Sequence, residues 1–454
     1  MAVISTIRKT RLQERNRLDA EYYQTEYIEM ETMLDKLDSR ELGTMAFVTD
    51  GEHGSPIFDE SSGIIYLSAQ NVKDNFFDLL DVHYINSDIH KKNKRSELKE
   101  GNIILSIVGT VGNAAVVSRD MLPGNTDRHV ATIIIGEKEI SPHYVSTFLN
   151  SKYGKLQSER LSAGNVQPLL NLGNVRKIKV PILKCQQDVE KLRIGAIETQ
   201  KNSQKLYEEA ENLLLEELGL KNVNLEYELS FTANLSEVSR VHRVDAEHFQ
   251  PKYDQIIEIA RKKTEVKRLD DLVTIKRGIE PGSKAYRDEG IPFVRVSNLS
   301  IHEIVDDNQK YLEPDLYKEL RSQYEPNVGE LLLSKDATPG IAFLMREKQK
   351  MIISSGIMRL KSKTNINMNY LSLALNSLFA KIQIDKATGG SVINHWRPSE
   401  IRETLIPMLD EKKRDELGDL VSQSYFKGRE MKQSLKKAKQ MVEEKIESLS
   451  SSKL

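Results

Sequence analysis

The chain is poor in cysteine and has no long hydrophobic run. Cys185 is the only cysteine among 454 residues, which excludes an intramolecular disulfide and a multi-cysteine zinc site and suits a reducing cytoplasm. We interpret it as a small buried apolar residue. The longest apolar runs, such as Ile103–Leu105 and Ile133–Ile135, fall far short of the roughly 20 residues that a membrane-spanning helix needs. The amino terminus also lacks the apolar core of a signal peptide. We therefore expect a soluble cytoplasmic protein without a membrane partner.

Charge of one sign does not dominate the chain. The 66 lysines and arginines nearly balance the 67 aspartates and glutamates, and the formal net charge is −1, so composition does not indicate a polyanionic partner. The distribution is uneven, because basic residues gather at 90–95 and at 261–268. A basic run of this kind is either the solvated face of a helix or a nucleic-acid contact, and the sequence leaves both interpretations open.

Catalytic motifs are also missing. The sequence contains no glycine-rich loop ending in Gly-Lys-Ser or Gly-Lys-Thr, no His-Glu-x-x-His, and no Asn-Pro-Pro or Asp-Pro-Pro tetrapeptide of an amino-methyltransferase. His129 and His395 lack carboxylates or cysteines at ligand spacing, so each is predicted to be a loop hydrogen-bonding group or a nucleic-acid contact. We expect no catalytic residue, no metal site and no cofactor in this chain.

What the sequence does contain is one pattern that occurs twice. Four segments of the first half recur in the same order in the second half, at offsets of 226 to 228 residues. The pairs are Arg17–Tyr27 with Arg243–Tyr253, Gly63–Val72 with Gly290–Leu299, Gly101–Ser106 with Gly329–Ser334, and Lys179–Pro181 with Leu405–Pro407. This period is far longer than the roughly 20 to 50 residues of a stacking repeat, so each copy is predicted to be a domain with its own core.

Each half shows the same order of predicted elements. Apolar residues at helical spacing between Tyr23 and Leu37, and between Phe249 and Ala260, predict a short helix at the start of each half. Short apolar runs separated by Gly, Asn, Ser and Pro follow, and they predict strands joined by irregular loops. Gly109–Gly112 lacks the lysine of a phosphate-binding loop and is predicted to be a strand-to-strand turn. The fold class is therefore α+β.

A long helix is predicted after each domain. Apolar and small residues recur at steps of three and four between Val189 and Leu213 and between Leu417 and Leu449, which is the spacing of a heptad seam. Each helix could simply pack on its own domain, but small seam residues such as Ala196, Ser203 and Gly428 favour two long antiparallel coiled-coil helices. About 30 residues at a rise of about 1.5 Å span about 45 Å. The predicted division is a first domain at 1–184, a first spacer helix at 185–220, a second domain at 221–408 and a second spacer helix at 409–454.

Polar loops differ between the two halves, although the scaffold segments agree. Asn and Gln side chains can pair with adenine and Arg with guanine, while Lys suits phosphates. The candidate DNA contacts in the first half are Ser68, Gln70, Asn71, Lys73, Lys91, Lys92, Lys94, Arg95, Asn125, Arg128, His129, Asn165 and Gln167. Those in the second half are Arg295, Ser297, Asn298, Lys335, Thr338, Ser391, Asn394, His395 and Arg397.

These motifs in their doubled order resemble the specificity subunit of type I restriction-modification systems. The resemblance is carried by the Arg-x-Asp-Ala-Glu segments at Arg17 and Arg243, the stretch Gly101–Gly112, the loops at 163–164 and 389–390, and the two spacer helices. It covers nearly the whole chain. It implies two homologous target-recognition domains, separated by the antiparallel helices and related by a pseudo-twofold axis, each reading half of a bipartite site in double-stranded DNA.

The resemblance also implies partners and cofactors. Methyltransferase (modification) subunits that bind S-adenosylmethionine would join the chain, and a restriction subunit, a motor-nuclease, would bind ATP and Mg. The chain itself would be a non-catalytic DNA-recognition subunit that positions these partners. Two other functions stay open from the residues alone. One is a coiled-coil adaptor whose domains bind protein partners, and the other is a self-contained DNA-modifying enzyme.

Overall fold

The fold is mixed helix and strand, and it divides into two compact units. The computed structural model describes residues 5–7, 18–54, 56–79, 82–164, 167–223, 226–241, 243–306, 308–388 and 395–451. The first unit is Met1–Glu198 with Glu430–Leu454, and the second is Thr199–Arg429. Across the described ranges, no helix is both long enough and apolar enough to span a membrane.

The described residues of the first unit form nine strands in three sheets. The strands are β1 (Ser39–Glu41), β2 (Ala46–Asp50), β3 (Ile65–Leu67), β4 (His83–Tyr84), β5 (Ile103–Ser106), β6 (Ala114–Val116), β7 (Gly124–Thr126), β8 (Val130–Ile135) and β9 (Lys179–Pro181). The main sheet has the order β2-β8-β5-β6 and is antiparallel throughout. A second sheet has the order β4-β3-β7, in which β3 and β7 are parallel, and β1 pairs with β9.

Helices cover the main sheet of the first unit on one face. Their bounds are Thr25–Asp35, Leu42–Met45, Pro142–Asn150, Lys152–Leu161 and Leu172–Arg176, whereas the helix Ser87–Lys92 follows β4 of the second sheet. Buried side chains of the sheet, such as Val48, Ile103 and Ile133, share one core with Tyr144 and Phe148 of the helix Pro142–Asn150. The opposite face of the sheet contributes to a smaller core beneath β3. Burial on both faces explains why the central strand β5 and its neighbour β6 are nearly continuous apolar runs in the sequence.

The second unit has the same sheets in the same order. Its strands are β10 (Glu265–Arg268), β11 (Val273–Arg277), β12 (Ile291–Val294), β13 (Lys310–Leu312), β14 (Leu331–Ser334), β15 (Ala342–Leu344), β16 (Ile352–Ile353), β17 (Ile357–Ser362) and β18 (Leu405–Met408). The orders β11-β17-β14-β15, β13-β12-β16 and β10-β18 match the first unit strand for strand, including the one parallel pair, β12 with β16. Its shorter helices are Leu235–Val241, Pro251–Arg261, Leu269–Leu272, Pro314–Tyr324, Met368–Asn376, Leu378–Thr388 and Pro398–Glu403.

Side-chain hydrogen bonds recur in the two units as well. The Tyr144 hydroxyl donates to the Pro181 carbonyl at 2.5 Å, and the Tyr370 hydroxyl donates to the Pro407 carbonyl at 2.6 Å. A Cβ atom on Gly51 would lie 2.1 Å from the Asp127 carbonyl oxygen, and one on Gly278 would lie 2.1 Å from the Ser354 carbonyl oxygen. Both glycines are therefore required by the same close approach of two backbone segments.

Two long helices contribute to both units, Gln186–Glu217 and Glu411–Ser451. In the first unit Ala196 packs with Met431 and Leu435. In the second unit the Ser203 hydroxyl donates to the Ser424 carbonyl at 2.7 Å, and the Ser424 hydroxyl donates to the Ser203 carbonyl at 2.7 Å. The two helices therefore contact each other within each unit, and small residues lie at the contact.

Each half contains helices that the sequence patterns did not mark. Two consecutive helices, Pro142–Asn150 and Lys152–Leu161, lie between β8 and β9, and Met368–Asn376 with Leu378–Thr388 take the same place in the second unit. Both members of each pair carry many buried residues. Several of the buried positions are polar, such as Ser146, Thr147 and Gln157, so the buried side of these helices is not marked by apolar residues alone in the sequence.

Candidate DNA interface

One buried asparagine in β7 holds the basic segment of the first unit. Asn125 is fully buried, and its side-chain nitrogen donates to the Asn93 carbonyl and to the Ser96 hydroxyl, each at 2.9 Å. Its side-chain oxygen lies 2.6 Å from His90 Nδ1. The helix Ser87–Lys92 and the turn after it are thereby tied to the second sheet. The tie fixes the position of the lysines that this segment carries.

The basic segment presents its lysines to solvent. Lys91, Lys92 and Lys94 are exposed, and none of them pairs with a carboxylate of the described residues. Arg95 is held by the Gly51 carbonyl at 3.0 Å and by Asp50 at 3.2 Å. The three lysines and the anchored Arg95 together form a positively charged surface. Such a surface is suited to phosphates, because contacts between cations and phosphate oxygens are charge-assisted and do not depend on the base sequence.

An open pocket of about 440 Å³ lies in the same unit. Four of the candidate DNA contacts, Ser68, Gln70, His129 and Gln167, come together there although they belong to three separate loops. The remaining lining residues are Phe58, Tyr66, Ala69, His83, Val108, Gly109, Thr110 and Asp127. The pocket therefore combines an aromatic side with a polar side.

Asp127 orients His129 at the end of β7. The Asp127 carboxylate accepts from the His129 backbone N–H at 2.8 Å, and its second oxygen lies 2.7 Å from His129 Nδ1. This geometry assigns a proton to Nδ1. Nε2 is 3.5 Å from Nε of the exposed Arg128. Asp127, Arg128 and His129 therefore form one polar loop, and the corresponding residues of the second unit, between β16 and β17, are Ser354, Ser355 and Gly356.

The turn that follows β3 exposes one amide and buries another. Asn71 is buried: its oxygen accepts from the Ser68 N–H at 3.0 Å and from the Ser68 hydroxyl at 2.9 Å, and its nitrogen donates to the Asp78 carbonyl at 3.2 Å. Gln70, which lies between Ser68 and Asn71 in the sequence, is exposed. Lys73 is half-buried just after the turn. The turn therefore presents Gln70 outward and uses Asn71 to keep its shape.

Asn298 repeats this arrangement in the second unit. It is fully buried, its oxygen accepts from the Arg295 N–H, and its nitrogen donates to the Val305 carbonyl, both at 3.1 Å. Ser297 is exposed as Gln70 is. The Arg295 guanidinium donates to the Asn308 carbonyl at 2.6 Å. The Arg295 side chain is thus held against the loop that contains Asn308, while Ser297 faces solvent.

A cluster of charged side chains follows β14 in the second unit. Lys335 is buried, and its Nζ lies 2.7 and 2.6 Å from the two carboxylate oxygens of Asp336. His395 is exposed, and its Nδ1 lies 2.9 Å from Asp336. Burial opposes ionisation of Asp336, but the hydrogen bonds from His395 and Lys335 outweigh it and lower the pKa of the carboxyl. Thr338 and Arg397 are exposed near this cluster in the sequence.

The structure changes the set of candidate contacts. Asn71, Asn125, Asn298 and Lys335 are buried and hydrogen-bonded within the chain, so the proposed interface excludes their side chains. Asn165, Ser391 and Asn394 lie outside the described residues. The other candidates are exposed or half-buried in their units.

Sequence reasoning missed the aromatic side of the pocket. Phe58, Tyr66 and His83 line it, and no motif marks them. The only signal was the concentration of aromatic rings between Phe58 and Tyr84 in a chain with 6% aromatic residues. Within the described ranges, no group of three or more His, Cys, Asp or Glu side chains could hold a metal ion.

Comparison with known proteins gives a family match in the second half of the chain. Residues 261–415 match the family model of the type I restriction modification DNA specificity domain. The chain is 27% identical over 135 residues to the EcoBI type I restriction enzyme specificity subunit of Escherichia coli. That match covers 30% of this chain and spans only 28% of the length of that subunit.

Two solved structures resemble most of the chain at low similarity. The type I restriction-modification S subunit from M. genitalium shares 13% identity at a TM-score of 0.41, over 90% of this chain and 95% of that one. The HsdS subunit from Thermoanaerobacter tengcongensis shares 14% identity at a TM-score of 0.28, over the same shares. These scores are too low to carry an argument. The sequence comparison shows that residues 261–415 are similar to the DNA specificity domain of type I restriction-modification systems.

Proposed function

We propose that this chain is the DNA-recognition subunit of a type I restriction-modification complex. The observation that carries the proposal is the match of residues 261–415 to the DNA specificity domain of type I restriction-modification systems. The relative from Escherichia coli, itself a specificity subunit, supports it. In this proposal the chain supplies sequence recognition, and the chemistry belongs to other polypeptides.

The first unit is the second recognition domain in this proposal. Its sheets have the strand order of the unit that contains the matched domain, and the Tyr144 and Tyr370 hydrogen bonds recur at equivalent places. Duplication of one domain accounts for both. We infer that the two long helices form the antiparallel spacer between the copies, as their heptad seams predict.

The loops would make the two half-sites different. Asp127, Arg128 and His129 of the first unit correspond to Ser354, Ser355 and Gly356 of the second. The basic segment around Lys91 corresponds to Pro314–Tyr324, where Lys318 pairs with Asp315 at 2.8 Å. Phosphate contacts set the register on the duplex, and base-edge contacts carry the sequence information. A shared scaffold with unlike loops therefore suits an asymmetric bipartite site.

Partners and cofactors follow from this assignment. Methyltransferase subunits would bring S-adenosylmethionine, and a restriction subunit would bring ATP and Mg; the chain itself would be non-catalytic and act in the cytoplasm. The near-zero net charge of −1 gives little counterion-driven attraction to DNA. We infer that tight binding needs the partners.

The test is co-expression with a type I methyltransferase subunit, followed by methylome sequencing of the host. We expect a bipartite motif with an unspecified gap to be methylated only when the chain and the methyltransferase are both present. Methylation by the chain alone, or by the methyltransferase at the same motif without the chain, would overturn the proposal.

A further inference from the structure

The pocket of the first unit has an aromatic wall that is open to solvent. Phe58 is 49% exposed. Its ring lies 4.6 Å from the His83 ring at an interplanar angle of 31°, and it meets the Tyr66 ring edge-on at 6.2 Å. A half-exposed phenyl ring beside two other rings gives a planar ligand a stacking surface.

Amide groups from two separate loops line the pocket with this wall. Gln70 and Gln167 are both exposed and both line the pocket. A side-chain amide offers two donors and an acceptor, which is the combination that the edges of nucleobases require. Asp127 and His129 add a carboxylate and an imidazole held in one orientation. The polar groups therefore suit a flat ligand with donors and acceptors on its rim.

Tyr66 adds a neutral hydroxyl to the same pocket. Burial, together with the negative charges of Asp127 and Glu52, raises the pKa of Tyr66 to about 12. The phenol therefore stays uncharged near neutral pH. The pocket volume of about 440 Å³ lies within the roughly 300 to 1,000 Å³ of small-molecule sites.

The phosphate surface is built on the same strand as this pocket. Asn125 of β7 anchors the segment that carries Lys91, Lys92 and Lys94, and the loop at the end of β7 contributes Asp127 and His129 to the pocket. A ligand with a planar base and a phosphate backbone uses both features. Free aromatic metabolites would use only the pocket.

We propose that this pocket binds a single nucleobase turned out of the DNA duplex, stacked on Phe58 and hydrogen-bonded by Gln70 and Gln167. The inference rests on the proposed function, because it takes duplex DNA as the ligand. Extruded bases are commonly held by stacking on aromatic side chains and by hydrogen bonds to their exposed edge. Recognition in the first half-site then includes one base read outside the helix.

The second unit is built differently at the corresponding positions. Tyr286 takes the place of Phe58, and its hydroxyl is held by Glu280 at 2.8 Å while its ring packs on the buried Phe293 at 5.4 Å. Lys310 takes the place of His83. The proposal therefore concerns the first half-site only.

The experiment is saturation-transfer difference NMR of the full chain with each of the four deoxynucleoside 5′-monophosphates. We expect transfer to base protons in the parent protein and its loss in Phe58→Ala and Phe58→Leu. Leucine keeps apolar volume without a stacking face, so this variant separates stacking from folding. Phe47→Ala is the matched control, because Phe47 is 66% exposed in the same unit and does not line the pocket. It should leave the transfer unchanged.

A titration with nucleotide measures how much the loss of stacking weakens binding. Loss of one base–aromatic stack should weaken nucleotide binding about tenfold. Equal binding by the parent and both Phe58 variants would overturn the proposal, and so would transfer confined to sugar protons and removed by inorganic phosphate. Duplex binding by the chain with its methyltransferase, followed by fluorescence anisotropy, is the separate readout of the proposed function. If duplexes bind while no mononucleotide does, the pocket assignment fails and the proposed function stands.

Discussion

Three buried asparagines shape the loops that the proposed interface uses. Asn71 and Asn298 close the same turn in the two units, and Asn125 anchors the basic segment. Each has several hydrogen-bond partners inside the chain, so removing its side chain leaves buried donors and acceptors without partners. Asparagine is the residue type expected to pair with adenine, but in all three cases its side chain stabilises the fold instead. An exposed neighbour, such as Gln70 beside Asn71, is the better candidate for a base contact.

Replacement of Asn125 should therefore act on stability. Asn125→Ala leaves the Asn93 carbonyl and the Ser96 hydroxyl without this donor, and we expect a loss of about 2 kcal/mol in the free energy of unfolding. Gln167→Ala is the control, since Gln167 is exposed and its loss should change stability by less than about 0.5 kcal/mol. Urea unfolding measures both. Equal effects of the two substitutions would contradict the anchoring role.

His143 gives stability a defined pH dependence. Burial, reinforced by the nearby Arg193, lowers the pKa of His143 from 6.5 to about 4. Between these values the unfolded chain binds a proton that the folded chain does not, so stability is lost as pH falls from 6.5 toward 4. The loss attributable to this group is on the order of 2 to 3 kcal/mol.

His143→Leu should remove that part of the pH dependence. The difference in unfolding free energy between parent and variant should change with pH inside this window and stay constant above it, because both then carry an uncharged side chain. Chemical unfolding at a series of pH values from neutral to acid measures the difference. A constant difference across the whole series would show that His143 titrates normally in the folded chain.

Helices and strands show where a sequence pattern carries structural information and where it does not. Consecutive apolar residues predict strands at Ile103–Ile107 and Ala114–Val117, and the structure has them at Ile103–Ser106 and Ala114–Val116. Gly109–Gly112 lies in the turn between these antiparallel strands, as predicted. β7 was missed, because Gly124–Thr126 has no apolar pattern and owes its conformation to parallel pairing with β3. The pocket was missed for the same reason: loops far apart in sequence meet only after the sheets form. The strand propensity of a segment depends on its own residues, whereas the pairing of β7 with β3 depends on the tertiary structure around it.

The small residues of the seam allow the two long helices to approach each other closely. Ser203 and Ser424 exchange two hydrogen bonds of 2.7 Å between hydroxyl and carbonyl groups, and a Cβ on Gly428 would lie 3.5 Å from the Ser203 hydroxyl. Ser203→Leu should force the backbones apart and cost about 1 to 3 kcal/mol. Gln204→Leu, at the exposed neighbouring position, should cost less than about 0.5 kcal/mol. Thermal or urea unfolding that finds the two variants equal would contradict close packing at Ser203.

The whole molecule combines a duplicated scaffold with unlike surfaces. Sheet order, parallel pair and buried tyrosine hydrogen bonds are the same in both units, whereas the basic segment and the Asp127–His129 loop are particular to the first. The duplication was predictable, because four segments recur in order at a nearly constant offset. The side chains that face the ligand were predictable only in part, because exposure depends on how each loop folds.

Salt dependence should reveal the phosphate surface. Neutralising Lys91, Lys92 and Lys94 together by substitution with glutamine should reduce the slope of log K against log salt by up to about 2.7, since each phosphate contact contributes about 0.9. The control is the pair Lys348→Gln and Lys350→Gln, exposed in the second unit, which should leave the slope unchanged. Anisotropy titrations of the assembled complex at several salt concentrations give the slopes. A slope that stays the same in the triple variant would remove this segment from the interface.

The central claim is that the chain contains two separate DNA-recognition domains. Exchanging one of these domains tests the claim most directly. Residues 17–180 would be replaced by the corresponding segment of a related specificity subunit, and the methylome of the host would be sequenced before and after the exchange. One half of the methylated bipartite motif should change while the other half keeps its sequence. A change in both halves, or in neither, would contradict the account.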